Sequence, residues 1–285
     1  MSTQASSQRS PLGRQLRAAF RGAPPGVRRL ARQIWTLGLR ARTGGRVMLD
    51  CGAPDHQSVI ICFDDLDHFR GVRRLWRYER EFTDTFLEEA RKATVVYDIG
   101  ANVGIYSLMA AKVNPRAEII AFEPEPHLTQ LVERSARANG FANIEVKRIC
   151  LGDADGEVQL SLAGVSGHHV AVAGEGKAIT TPVARLDSLI SRGEIAPPDL
   201  IKIDAEGYEF KILSGLGDML ARHQPRIVIE VHEHFMQRYG DSFDGLKALM
   251  RKAGYEGVLL RKPAAGEAED VHRQSHYLFA PQRRA

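Results

Sequence analysis

Short apolar runs that alternate with helical periodicities predict an α/β chain, a doubly wound and mostly parallel sheet with helices on both faces. Three observations carry that expectation. The run Thr94-Val95-Val96-Tyr97-Asp98-Ile99 is rich in β-branched and aromatic residues, stops at Gly100, and gives way to 3.6-residue spacing through Val103, Ile105, Leu108, Met109 and Ala111. A second run, residues 117–122, ends in Glu123-Pro124, and two more, residues 199–203 and 226–231, flank another helical stretch. Strands that alternate with helices in this way pair in parallel through right-handed crossovers, and their ligands lie at the carboxyl ends.

Residues 1–46 stand apart, with ten arginines and neither lysine nor acid, so their charge exceeds the net +4 of the chain. From residue 26 to 39 the apolar Val27, Leu30, Ile34 and Leu37 recur three or four apart among Arg28, Arg29 and Arg32, the pattern of a basic amphipathic helix. Such a helix can pack on its own domain or settle on an anionic membrane surface, where Trp35 suits the interface. Arginines without interleaved stacking aromatics give only a non-specific footprint on nucleic acid, which is therefore disfavoured as a partner. Residues 47–92 form a second unit: strand candidates at 46–49 and 58–63 read as a hairpin, and 65–92 as a helix with Phe82, Phe86 and Leu87 on one face.

Residues 93–285 hold the main domain. After the strand at 117–122, residues 125–139 are helical through Leu128, Leu131 and Val132, with Asn139-Gly140 as the stop, and 143–149 form the next strand. Residues 151–183 break the alternation with strand-like pieces at 157–162 and 178–183 around a glycine-rich stretch. His168 and His169 in that stretch read as a surface loop rather than a lid. A helix over 208–221, another near 243–253 and strands near 255–260 and 276–280 complete the chain, the last two as an antiparallel hairpin. The 285 residues, 44% hydrophobic, suffice for a sizeable core. No run reaches the length of a membrane-spanning helix or a secretory signal, so a cytoplasmic protein is expected, with residues 26–39 as its one candidate for peripheral membrane contact. Cys51, Cys62 and Cys150 lack metal-site spacing and read as small buried hydrophobes.

The strand, glycine turn and helix start at 94–104 let backbone approach a ligand, and the helix N-terminus favours an anion. The spacing is not G-x-G-x-x-G, so a dinucleotide is disfavoured. Glu123, at the tip of the second strand, stands where this architecture holds ribose hydroxyls. The ligand reads as a nucleoside that carries a carboxylate and no phosphate.

Three strings, Asp98-Ile-Gly-Ala-Asn-Val-Gly-Ile-Tyr-Ser107, Ala121-Phe-Glu-Pro-Glu-Pro126 and Ile201-Lys-Ile-Asp-Ala-Glu-Gly-Tyr-Glu209, closely resemble the FkbM family of S-adenosylmethionine-dependent methyltransferases, over residues 79 to 260. The resemblance implies a Rossmann-like class I methyltransferase sheet, S-adenosyl-L-methionine as cofactor, and O-methylation of a hydroxyl or carboxyl on a sugar, glycolipid or secondary metabolite. It places the cofactor against Asp98, Gly100, Ala101, Asn102, Gly104, Tyr106, Ser107, Glu123 and Pro124. Asp98 would reach the methionine ammonium, the N–H groups of the turn the carboxylate, and Glu123 both ribose hydroxyls.

Methyl transfer from a sulfonium requires alignment and removal of the acceptor's proton. Asp204 and Glu206 directly follow a strand and project at the cofactor edge, and His232, at the end of the next strand, is a candidate proton acceptor. Lys202 on a central strand must be paired, and Glu230 on the adjacent strand is the nearest partner by topology. No metal is expected: His232 and His234, two apart on a strand, point to opposite faces. RNA methylation, and a non-catalytic module that keeps the fold, are the competing readings. The first lacks an N-P-P-Y-type motif where Asp204-Ala-Glu-Gly stands, and the second conflicts with the intact turn.

Overall fold

A computed structural model describes residues 43–50, 58–64, 80–162, 168–171, 178–261 and 274–282, with single positions 38 and 41. The expected amphipathic helix at 26–39, residues 65–79 of the expected helix at 65–92, and Cys51 lie outside the described residues.

The hairpin is β1 (Arg46–Asp50) and β2 (Ser58–Cys62), antiparallel and separate from the main sheet. Next come α1 (Arg80–Ala90), β3 (Val95–Ile99), α2 (Ile105–Val113), β4 (Glu118–Phe122), α3 (Pro126–Asn139) and β5 (Ile144–Lys147). α3 starts with Pro126 in its first turn and the Glu125 carboxylate accepting from the Leu128 N–H, and it stops at Gly140 in the left-handed region. An insert follows, β6 (Cys150–Leu151), β7 (Gly156–Leu162), β8 (His168–Val170) and β9 (Ala178–Ala184), which forms its own four-stranded sheet in the order β6-β9-β7-β8. The main sheet resumes through α4 (Leu186–Ser191), β10 (Leu200–Ile203), α5 (Glu209–Ser214), α6 (Met219–His223) and β11 (Arg226–His232). Short α7 (Glu233–Met236), α8 (Phe243–Lys252), β12 (Tyr255–Arg261) and β13 (Gln274–Pro281) close the chain.

The main sheet has seven strands in the order β12-β13-β11-β10-β3-β4-β5, parallel from β11 through β5 and antiparallel at β13 and β12. Period two along each strand divides its core in two. Val96, Ile119, Leu200 and Val228 pack against α1, α2, α3 and the hairpin, while Tyr97, Ile120, Ile201 and Ile229 pack against α4, α5, α6 and α8. The hairpin is tied to α3 by Asn139, whose amide accepts from the Ile60 N–H at 2.8 Å and donates to its carbonyl at 2.7 Å.

Two details differ from the sequence reading. The helix expected over 208–221 is two helices, because Gly215 lies against the Gly152 carbonyl, where a Cβ would stand 1.9 Å from that oxygen, and Gly217 adopts a φ of +50°. α4 was not expected, since its six residues are too few for a periodicity to show.

Candidate active site

β3 and β10 end side by side, and the turn after β3 is built around their approach. Gly100 has a φ of +70°, and a Cβ there would lie 1.9 Å from the Asp204 carbonyl oxygen, so only glycine fits. Asn102 follows at a φ of +52°. The Gly100 and Ala101 N–H groups donate to the Phe122 carbonyl, Gly104 to Ala101, Asn102 to the Glu123 carboxylate at 2.8 Å, and Ser107 to Asp98 at 2.9 Å. Those donors hold the turn to β4 and to itself.

Asp98 is corrected. It is sealed from solvent, Oδ2 accepts from the Ser107 N–H and hydroxyl at 2.9 and 2.6 Å, and Oδ1 lies 3.3 Å from Lys202 Nζ. Its side chain points to the α1 and α2 face of the sheet, not to the cleft, so it anchors the turn instead of meeting an ammonium. Lys202 donates to the Gly100 carbonyl at 3.0 Å and lies 3.7 Å from Asp204. Burial opposes its charge, but Asp98 and Asp204 outweigh burial and raise its pKa. The sequence reading gave Lys202 to Glu230. The register places Asp98 abreast of Lys202 on one side and Val228 on the other, so the nearer acid is Asp98.

A cleft opens at the carboxyl ends of β3, β4 and β10. Of the residues expected at the cofactor, Gly100, Asn102, Glu123 and Pro124 line it. Ala101, Gly104, Tyr106 and Ser107 do not. Ala101 packs with Ala121 and Val132, Gly104 caps α2 against Val132, and Ser107 holds Asp98. Tyr106 sits edge-on to Phe82 and Phe86 with its hydroxyl 3.2 Å from that of Thr83. These four belong to the core because α2 turns down beneath the sheet at Ile105.

Glu123 occupies the tip of β4. Its oxygens accept from the Asn102 and Glu125 N–H groups at 2.8 and 2.9 Å, and burial, only partly offset by those bonds, pushes its pKa up to about 7. Asp204 and Glu206, beyond the tip of β10, also line the cleft, with Ile149, Cys150 and Leu151. Burial pushes the Cys150 thiol up to about 12, which leaves it an inert lining group. The insert supplies Leu160, His169 and Val170 to the lining, and Tyr239 donates its hydroxyl to the Val170 carbonyl at 2.7 Å. The surface-loop reading of His169 is thereby replaced.

His232 is not in the lining and is 2% exposed. Its Nδ1 pairs with Glu209 Oε1 at 2.8 Å, and Nε2 stands 3.7 Å from Glu206, 3.8 Å from Glu230 and 4.0 Å from Asp204. Burial opposes its charge, yet Glu209 and the other carboxylates hold its pKa well above the usual histidine range. Glu209 holds Nδ1 and the ring does not line the cleft, so the geometry does not present it to an acceptor hydroxyl as a general base. Burial raises Asp204 and pushes Glu206 up to about 8, while Glu230, despite burial, is drawn down to about 2 by His276 and His232. Glu209 and Glu230 were missed as members of this group. Glu209 lies within the string 201–209, but no feature of that string shows that it folds back onto the fifth parallel strand.

A mostly parallel sheet of this order, with a carboxylate at the tip of β4 and two more beyond β10, has the Rossmann-like architecture of class I methyltransferases. The chain belongs to the FkbM methyltransferase family: the model of the methyltransferase FkbM domain matches residues 98–256. It is an enzyme of the methyltransferase class and draws on a methyl donor. It is similar to the hexuronic acid methyltransferase AglP of Haloferax volcanii, 28% identical over 172 residues that cover 57% of this chain and 68% of that one. It is also similar to the 31-O-demethyl-FK506 methyltransferase FkbM of Streptomyces tacrolimicus, 26% identical over 242 residues, 72% of this chain and 90% of that protein. Among solved structures, methyltransferase FkbM from Methylobacillus flagellatus matches 65% of this chain and 43% of its own, with a TM-score of 0.47 and 18% identity. No helix among the described residues is long and apolar enough to cross a membrane.

Proposed function

We propose that the chain transfers the methyl group of S-adenosylmethionine to a hydroxyl oxygen of a sugar-bearing or secondary-metabolite acceptor. The observation that carries this reading is the placement of Glu123 at the tip of β4 and of Asp204 with Glu206 beyond the tip of β10, on either side of β3, in the lining of one cleft. Glu123 can accept from ribose hydroxyls, and Ile99, Phe122 and Leu151 offer apolar surface to a base. The residues present therefore fit a nucleoside cofactor. When bound, it supplies a methyl carbon on a sulfonium that departs as a neutral thioether.

Asp204 is positioned to take the proton of an acceptor hydroxyl, and Glu206 beside it can do so once ionised, above about pH 8. The acceptor oxygen then forms the new C–O bond as the S–C bond breaks and its electron pair stays on sulfur. A carboxylate acceptor would meet like charge at this wall, so a hydroxyl is favoured over a carboxyl. Similarity to a hexuronic acid methyltransferase and to a 31-O-demethyl-FK506 methyltransferase supports an acceptor of this kind.

Calorimetry with S-adenosylhomocysteine tests the cofactor, with one equivalent bound and affinity lowered ~10–1000-fold in Glu123→Ala, the loss of one or two charged hydrogen bonds. Absence of binding to the wild-type chain would overturn the proposal. Transfer of labelled methyl from S-adenosylmethionine to glycans and their alkaline stability then separate ethers from esters.

A further inference from the structure

The wall behind Asp204 holds more carboxylates than its cations match. Asp98, Asp204, Glu206, Glu209 and Glu230 gather behind the tips of β10 and β11, and the basic side chains in direct contact are Lys202 and the imidazoles of His232 and His276. Lys202 is committed to Asp98 and the Gly100 carbonyl. Buried negative charge of this density calls for a further cation or for bound protons.

The imidazole of His232 is aimed at this excess. Glu209, fully buried, holds Nδ1 at 2.8 Å and also accepts from the Gly207 N–H at 3.0 Å, so the ring is fixed by a carboxylate that is itself anchored. An outer carboxylate on one ring nitrogen is how metal-binding histidines are oriented through the other. Nε2, 3.7–4.0 Å from Glu206, Glu230 and Asp204, is too far from each for a hydrogen bond. One ligand atom from each of Asp204, Glu230 and His232 falls within 4.8 Å of the others. Ligands about one small divalent ion sit roughly 3 Å apart when the bonds are ~2.1 Å, so His232 must close on each carboxylate by about 1 Å and the widest pair by at most about 1.8 Å. His234, by contrast, is tilted against Phe235 and takes no part.

We propose that Asp204, Glu230 and Nε2 of His232 bind a divalent cation of the Mg²⁺ or Mn²⁺ type, with Glu206 beside it at the cleft. Carboxylates outnumber the one imidazole, which selects a hard cation over Zn²⁺ or Cu²⁺. Asp204 and Glu206 line the cleft, so the remaining coordination positions open toward it. The purpose of the ion rests on the O-methyl transfer proposed above: a hydroxyl oxygen bound to it loses its proton more readily. No metal was expected from the sequence because the two imidazoles of the His232-Glu233-His234 run beside Asp204 alternate faces on a strand. The ligands come instead from the tips of two neighbouring strands.

The test is Mn²⁺ binding to the full chain after chelation and dialysis, read by calorimetry and by the electron paramagnetic resonance of the ion. One equivalent should bind, with affinity lowered at least about tenfold in Glu230→Gln and in His232→Gln, each checked for a native melting transition. No Mn²⁺ bound by the wild-type chain, or binding unchanged in a folded Glu230→Gln variant, overturns the site. S-adenosylhomocysteine titrated into the same samples decides the cofactor separately, so failure of the metal site leaves the methyl-transfer reading standing, and the reverse.

Discussion

Lys202 and Asp98 stand abreast on neighbouring parallel strands, Nζ 3.3 Å from Oδ1, with side chains 2% and 0% exposed. The pair joins the tips of β3 and β10 from beneath, and through Ser107 it fixes the start of α2. Removal of one buried charge leaves the other uncompensated, which costs about 3–5 kcal/mol, whereas removal of both is far better tolerated. Lys202→Met should therefore destabilise the chain by about that amount in urea titration. Asp98→Asn combined with Lys202→Met should recover most of the loss, because the amide oxygen still accepts from Ser107. A double variant no more stable than the single one would show that the pair is not the anchor.

Glu123 gives the cofactor site a pH dependence with a definite sign. Its folded pKa of about 7 lies above the ordinary carboxylate value because burial penalises the charge. Between that ordinary value and about 7 the folded chain binds a proton that the unfolded chain does not, so this group makes stability fall as pH rises through the window. Affinity for S-adenosylhomocysteine should move the other way, rising toward pH 7 and levelling above it, since ribose hydroxyls donate to the carboxylate. Glu123→Gln should flatten both trends, and an affinity in the wild-type chain independent of pH between 5 and 8 would rule out the contact.

Gly100 tests the approach of the two strand tips. A methyl group there meets the Asp204 carbonyl oxygen at 1.9 Å in a backbone conformation that L residues rarely adopt. Gly100→Ala should cost more than ~2 kcal/mol and abolish S-adenosylhomocysteine binding, while Gly140→Ala, with open space around it, should cost about 1 kcal/mol for its left-handed φ alone. Equal losses at the two positions would mean that conformation, not contact, governs Gly100.

Asp204 and Glu206 are separated from His232 by what each substitution spares. Asp204→Asn and Glu206→Gln should lower kcat by ~10²–10⁴ with S-adenosylhomocysteine affinity nearly unchanged, because the proton moves only in the transition state. His232→Asn should lower kcat without removing an ionisation near neutrality from the pH profile, since the ring does not line the cleft. Disappearance of such an ionisation would return the base to His232.

The order and type of the main elements were legible in the sequence, because strands buried on both faces and amphipathic helices write their periods directly into it. So were the glycine turn, Glu123 at the tip of β4, and Asp204 and Glu206 beyond β10. Register was not. A string shows that Asp98 and Lys202 lie on strands, but only the pairing places them side by side, and this removed Asp98 from the cleft and Glu230 from Lys202. Nor could spacing show that α2 dives beneath the sheet with Tyr106 and Ser107, or that the insert folds His169 onto the cleft. The fate of His232 was decided at longest range: Glu209 from α5, Asp204 and Glu206 from the end of β10, and Glu230 from its own strand surround one ring. Charge and solvation act through distance in space, so local sequence fixes which groups can ionise, and tertiary structure decides which of them do.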